Sequence, residues 1–274
     1  MQGEALIDNL NAWSKQFDTM TRLICVSSGK GGVGKTTVTS NLGAALTNFG
    51  ADTVVLDANL TNPNLGFHIG IPLYPKTLHD VLKGDAHITE AMYIHDSGLR
   101  VVPAGLSVED LEDTDPANLS DVLLDAVGEP DFVLVDSAAG LGNESINAIE
   151  ASDEVLIVTN PNLPAVTDAL KTVNIAEEAG TDIKGVILNM VKGHDSELDT
   201  EEVESMIGHP VMMEIPHHEK VEEALSLKKP IVHHEPEHHV SERFKAVAGD
   251  IAGVEYEADL SEPGLFSKIM DRFK

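Results

Sequence analysis

Residues 28–37 read Ser-Gly-Lys-Gly-Gly-Val-Gly-Lys-Thr-Thr. Gly29, four intervening residues and then Gly34-Lys35-Thr36 satisfy the G-x-x-x-x-G-K-[ST] spacing of a phosphate-binding loop. The flanking residues fit that reading. Leu23-Ile24-Cys25-Val26 is a short apolar run of strand character; Val38, Leu42, Ala45, Leu46 and Phe49 recur at helical spacing up to Gly50, which suits a C-terminal cap. Glycines allow backbone N–H groups to turn inward around an anion without side-chain obstruction. The N-terminus of the following helix adds partial positive charge at the same point. The segment Gly29, Lys30, Gly31, Gly32, Val33, Gly34, Lys35, Thr36 and Thr37 is therefore expected to cradle a polyphosphate, with Lys35 on the β and γ phosphates and the Thr36 hydroxyl on Mg²⁺.

The rest of the chain alternates strands and helices around this loop. Thr53-Val54-Val55-Leu56, Leu99 to Pro103, Phe132-Val133-Leu134-Val135, Glu154 to Val158 and Gly185-Val186-Ile187-Leu188 are near-continuous apolar runs, with helical segments between them at 168–178 and 200–206. Such strands imply an α/β fold: a doubly wound, mostly parallel sheet with helices on both faces. Polar residues just past the strand ends gather at the carboxyl edge, where such sheets bind ligands. Asp57, Asp136 and Asn189 hold those positions. Asp136 follows four apolar residues, the setting of a Walker-B aspartate that holds Mg²⁺ together with Thr36.

Composition narrows the function. Among 274 residues, 46 Asp and Glu against 18 Lys and Arg give a net charge of −28. Each phosphate contact to a nucleic acid needs a Lys or Arg, so no nucleic-acid partner is expected. Acidity of this degree also fits a halophilic protein in a salty cytoplasm. The single cysteine, Cys25, excludes a disulfide framework and any all-cysteine metal site within one chain. The first residues show neither a basic start nor an apolar run, and no stretch approaches the ~18 apolar residues of a membrane span. The expected location is cytoplasmic.

With Lys30 included, the loop reads G-K-G-G-V-G-K-T-T and resembles the deviant phosphate loop of the MinD/ParA ATPases. The resemblance spans about residues 21–250 and is strongest to archaeal MinD-like proteins. It implies a P-loop ATPase fold of the SIMIBI type with ATP and Mg²⁺ as cofactors. It also implies a homodimer formed on ATP, in which Lys30 reaches the partner's nucleotide. Asp136-Ser137-Ala138-Ala139-Gly140-Leu141-Gly142 is similar to the family's D-x-P-A-G-L-G segment, with Ala138 in place of proline. Thr159-Asn160-Pro161 resembles T-N-P-E with Asn162 in place of glutamate, leaving a dimer contact there in doubt. Asn189 matches the asparagine that reads the adenine edge, and Ile215-Pro216 matches the turn whose backbone flanks the base. The family's D-x-D after the second strand is here Asp57, Ala58, Asn59. Asparagine can orient a water but has neither negative charge nor a basic oxygen. Slow turnover or a long-lived ATP dimer follows. The implied catalytic set is Lys30, Lys35, Asp57 and Asn59.

Four regions are expected: an amphipathic extension at 1–20, the ATPase domain at 21–254, an acidic linker at 255–263 and a tail at 264–274. In the tail, Leu265, Phe266, Ile269, Met270 and Phe273 share a helical face beside Lys268, Arg272 and Lys274. That is the pattern of an interfacial helix, and it resembles the membrane-targeting tail of MinD proteins. Two tails on one dimer would attach far more tightly than one. The expected function is reversible, ATP-governed attachment to the inner face of the cell membrane through lipid, positioning a division, motility or polar structure with an unidentified activator or cargo protein. Two rivals stand beside it: an ATP-locked scaffold with little turnover, kept alive by Asn59, and a ParA-type partition ATPase, disfavoured because no basic stripe is present. The pairs His217-His218, His233-His234 and His238-His239 show no spacing that fixes a tetrahedral ligand set and are read as a solvated polar face.

Overall fold

The computed structural model describes residues 20–71, 74–128 and 130–260. The expected N-terminal extension (but for Met20) and the membrane-targeting tail lie outside these residues.

Eight strands form one sheet in the order β3-β4-β2-β5-β1-β6-β7-β8. They are β1 (Arg22–Ser27), β2 (Thr53–Ala58), β3 (Tyr93–Ile94), β4 (Arg100–Val102), β5 (Phe132–Ser137), β6 (Glu154–Thr159), β7 (Asp182–Val191) and β8 (Val211–Pro216). All neighbours run parallel except β3, which lies antiparallel to β4. The helices are α1 (Lys35–Asn48), α2 (Leu65–Ile69), α3 (Leu78–Leu82), α4 (Leu119–Leu124), α5 (Asn143–Glu150), α6 (Leu163–Ala179), α7 (Thr200–Ile207), α8 (Glu219–Ser226), α9 (Ile231–His234) and α10 (His239–Ala252).

Both faces of the sheet are covered, as near-continuous apolar strands require. Because side chains alternate along a strand, Leu23 and Cys25 point into one core with residues of α3 to α7, and Ile24 and Val26 into the other with residues of α1, α9 and α10. Sealed in that layer, Cys25 is fully buried, and burial pushes its thiol up to about 12. The doubly wound sheet inferred from the sequence is thus the observed one. Helix α6 begins earlier than the apolar pattern suggests. The Asn162 side chain caps it by accepting from the Ala165 N–H at 3.1 Å, and Pro164 is tolerated in the first turn. At the far edge, β8 is only half-buried and ends in Pro216, which suits an edge strand. Residues 254–260 have no regular structure, yet Tyr256 packs edge-on against Phe49 at 5.2 Å and donates to Glu242 at 2.7 Å.

The chain order positions the site. Strand β5 lies between β1 and β2, so Val26, Asp136 and Asp57 align side by side across three adjacent strands. The loop after β1, the ends of β2 and β5 and the start of α1 consequently share one edge of the sheet.

Among the described residues, no helix is long and apolar enough to cross a membrane.

Helix α1 approaches the sheet closely at Gly43, where an added Cβ would lie 2.5 Å from Val55 Cγ1 and 3.3 Å from Leu99 Cδ1. Gly43→Ala gains about 1 kcal/mol of helix propensity, but overpacking of this kind costs about 1–3 kcal/mol. The clash wins, and thermal unfolding is expected to shift down by a few degrees; an unchanged or higher midpoint would show that the helix can move away freely.

Candidate nucleotide-binding site

The loop from Ser28 to Gly34 leads directly into α1, with Gly34 at φ +95° as its N-cap. The left-handed conformation and the neighbouring side chain both demand glycine there, since a Cβ would sit 2.3 Å from Asn189 Nδ2. The loop is braced from behind. Asn189 Nδ2 donates to the Val33 carbonyl at 2.7 Å, and Asn160 Nδ2 donates to the same carbonyl at 3.4 Å and to the Asn189 carbonyl at 2.9 Å. Fixing this carbonyl on the protein side leaves the glycine-rich turn to face the cleft. Across the opening, the Gly140 N–H donates to the Ser28 carbonyl at 3.1 Å, tying the 138–142 segment to the loop.

An open cleft of about 1010 Å³ lies in front of this turn, lined by Gly31, Gly32, Gly34, Lys35, Thr36 and Thr37 on one side. Asn59, Thr61, Ala138 and Glu144 are on its other walls. Lys35 is only 8% exposed; burial lowers its ammonium pKa, and attraction to Asp136 opposes that shift. Thr36 Oγ1 donates to Asp136 Oδ2 at 2.7 Å, and Thr39 Oγ1 donates to Asp136 Oδ1 at 3.2 Å. Asp57, the neighbour of Asp136 in the sheet, accepts the N–H groups of Asn59, Asn64 and Leu65 at 3.2, 3.0 and 3.0 Å. Both carboxyls are 1% exposed. Burial raises both pKa values, and the Asp136 charge raises that of Asp57 further.

Lys35, Thr36 and Asp136 converge at the foot of the cleft. Lys30 is exposed and, among the described residues, has no side-chain hydrogen bond or ion pair. Asn59 faces the cleft, but both its amide atoms are used within its own loop: Nδ2 donates to the Asn62 carbonyl at 2.6 Å, and Oδ1 accepts the Asn62 N–H at 3.3 Å. Asn189 and Pro216 line one smaller cleft beside Thr37, closed by Ile215, Val221 and Phe244.

Several residues escaped the sequence reading. Thr39 lies one turn after Thr36 on α1, a spacing that could have suggested it. Asn160, flagged only for its motif, is the second brace of the loop. Glu144 accepts from the Thr61 hydroxyl and from its N–H, linking the 59–64 loop to the start of α5. The histidines depart from the solvated face expected of them. His218, His238 and His239 meet, and His239 is 7% exposed. Burial, with the neighbouring His239 and His218, lowers the His238 pKa to about 4. Tertiary folding brings the N-terminal ends of α8 and α10 together, both helices packing on α9, and no local spacing encodes this contact.

The chain is similar to known proteins in sequence and in fold. Residues 24–231 match the CobQ/CobB/MinD/ParA nucleotide binding domain. An uncharacterized ATP-binding protein of Methanocaldococcus jannaschii is 36% identical over 89% of this chain and 92% of its own. The septum site-determining protein MinD of Thermotoga maritima is 32% identical over 74% of this chain and 78% of its own. The structure of the septum site-determining protein MinD of Pyrococcus horikoshii, complexed with Mg-ADP, superimposes with a TM-score of 0.82 at 33% identity, covering 84% of this chain and 96% of that one. The chain therefore belongs to the MinD/ParA family of nucleotide-binding ATPases.

Proposed function

We propose that this protein binds Mg-ATP in the cleft and dimerises over it. On this reading the dimer attaches reversibly to the inner membrane surface through residues 264–274 and positions a division, motility or polar structure. The observation that carries the reading is the convergence of Lys35, Thr36 and the buried Asp136 at the foot of a glycine-lined cleft. Lys35 would neutralise the β and γ phosphates, and the Thr36 hydroxyl and the Asp136 carboxylate would hold Mg²⁺, which offsets the phosphate charge. In the smaller cleft the Asn189 donor is committed to Val33, so its Oδ1 is left to accept the exocyclic amine of adenine. Pro216 flanks the ring. Lys30, exposed at the rim, reaches the nucleotide of a second copy.

A second reading, an ATP-locked scaffold with little turnover, is favoured by Asn59. Its amide is closed in a local turn with Asn62 and lacks the basic oxygen that would take a proton from an attacking water. An aspartate there would lose the donor to the Asn62 carbonyl and repel it at that short distance, which frees the carboxylate to turn into the cleft. The acidic surface disfavours the partition-ATPase reading.

Lys35→Ala is expected to abolish ATP binding in an equilibrium titration, while retained binding at wild-type affinity would remove the phosphate loop from the account. Steady-state hydrolysis in high salt should rise by about a hundredfold in Asn59→Asp, the low end of what a positioned base contributes. A wild type already as fast as the variant would eliminate the scaffold reading.

The carboxyl pair predicts a pH dependence. Both groups have folded pKa values above their unfolded ones, so the folded state binds more protons. Their contribution to stability is complete below the ordinary carboxylate range and is lost as pH rises through the folded values. A divalent cation at Asp136 favours the ionised form. Mg²⁺ binding with ADP is therefore expected to release protons near neutral pH, measured as buffer-dependent heat in calorimetry. A buffer-independent heat would contradict the raised values.

A further inference from the structure

Three imidazoles from two segments, His218 from one and the adjacent His238 and His239 from the other, meet at one site. His218 precedes α8, His238 caps α10, and His239 is the first residue of α10. One ring nitrogen from each lies within 4.8 Å of the others. The ring centroids are 4.4 Å apart for His218 and His238, 5.3 Å for His218 and His239, and 4.3 Å for His238 and His239. All three line a cavity of about 590 Å³ whose walls also carry Lys192, Glu214 and Arg243.

We propose that His218, His238 and His239 form a binding site for a divalent transition-metal ion, Zn²⁺ or a close relative, with a fourth coordination position open to the cavity. The claim is independent of the nucleotide reading.

The donor chemistry selects the ion. Three imidazoles suit Zn²⁺, Co²⁺, Ni²⁺ or Cu²⁺, whereas Mg²⁺ and Ca²⁺ require oxygen ligands in greater number. Bonds of about 2.0–2.1 Å to tetrahedral Zn²⁺ place ligand nitrogens about 3.3 Å apart. The observed spread is wider by an amount that small rotations of the half-buried His218 and His238 rings can close, with His239 fixed in the interior as the reference point. Three protein ligands with an open fourth position is the arrangement of sites that keep a water or exchangeable ligand.

Two features oppose binding and must be outweighed. His218 Nδ1 accepts the Lys220 N–H at 3.1 Å, and His238 Nδ1 accepts the Val240 N–H at 3.2 Å. A neutral ring accepting at Nδ1 carries its proton on Nε2. Ligation through either nitrogen therefore breaks the cap or shifts the proton, trading two long hydrogen bonds for two coordinate bonds and leaving the freed N–H groups to water. The second is charge: Lys192 and Arg243 are cations on the same wall. Arg243 Nη1 is turned to the backbone, donating to the Glu214 carbonyl at 3.0 Å. The remaining positive field favours an ion that carries an anion, hydroxide, chloride or the Glu214 carboxylate, in its fourth position. Because His218 also lines the smaller cleft with Asn189 and Pro216, a bound ion would fix the turn between β8 and α8.

The test uses the full-length protein, stripped by chelator and free of nucleotide, titrated with Co²⁺ and then Zn²⁺. The expected result is one equivalent of Co²⁺ giving the visible d–d absorption of a low-coordinate nitrogen site, bleached by one equivalent of Zn²⁺. His218→Asn and His238→Asn retain a side-chain oxygen for the helix cap but remove a ligand. Each should lose the absorption and at least about tenfold in Zn²⁺ affinity, since even outer-shell changes cost 10–100-fold. His209→Asn, at the turn between α7 and β8, should match the wild type. The wild-type spectrum decides the coordination even where a variant loses stability. Absorption no stronger than that of hydrated Co²⁺ would overturn the proposal. So would Zn²⁺ affinity unchanged in both variants, which would assign the ion to other histidines.

Discussion

The structure depends on keeping the Asp136 carboxyl buried at the centre of the sheet beside Asp57. Two acidic groups on adjacent strands, each 1% exposed, are an unfavourable pair in a low-dielectric interior. The fold surrounds them with compensating groups. Three backbone N–H groups face Asp57, while two threonine hydroxyls and the Lys35 ammonium serve Asp136. These partners come from the start of α1 and from the loop after β2. The electrostatic need of two strand ends thereby holds in place the two segments a nucleotide site requires. On the proposed reading, the same field would favour a divalent cation at the Thr36 and Asp136 oxygens.

Bracing extends the constraint sideways. The Val33 carbonyl is gripped by Asn189 from β7 and by Asn160 from the end of β6. Through Asn189 the phosphate loop is tied to β7, which also borders the smaller cleft, so the shapes of the two are set together. On the opposite wall, Glu144 ties α5 to the 59–64 loop, and Gly140 ties the 138–142 segment to Ser28. If the cleft holds ATP as proposed, these hydrogen bonds join segments that border the γ-phosphate.

Much of this was legible in the sequence because it is local. The strand, loop and helix around Gly29 to Thr36 are contiguous, and Asp57 and Asp136 each end an apolar run. What local patterns miss depends on distant packing. The clamp by Asn160 joins residues 127 positions apart in sequence, and the link from Thr61 to Glu144 joins residues 83 apart. The substitution at Asn59 was visible, but its closure in a turn with Asn62 was not, because an amide can serve the loop or the cleft with equal ease. Adjacent His238 and His239 suggest divergent side chains. The capped start of α10 instead brings both to His218, a placement that depends on α8 and α10 both packing on α9. The half-buried edge strand β8 lacked the apolar continuity that marked the central strands.

The central claim is that the phosphate loop serves a second copy as well as its own nucleotide. Sedimentation velocity in high salt, with Mg-ATP and with Mg-ADP, tests it directly when wild type is compared with Lys30→Ala. The account predicts a dimer of the wild type with ATP, a monomer with ADP, and a monomeric Lys30→Ala that still binds ATP. A wild type that stays monomeric with saturating Mg-ATP, or a Lys30→Ala variant that dimerises as the wild type does, would contradict it.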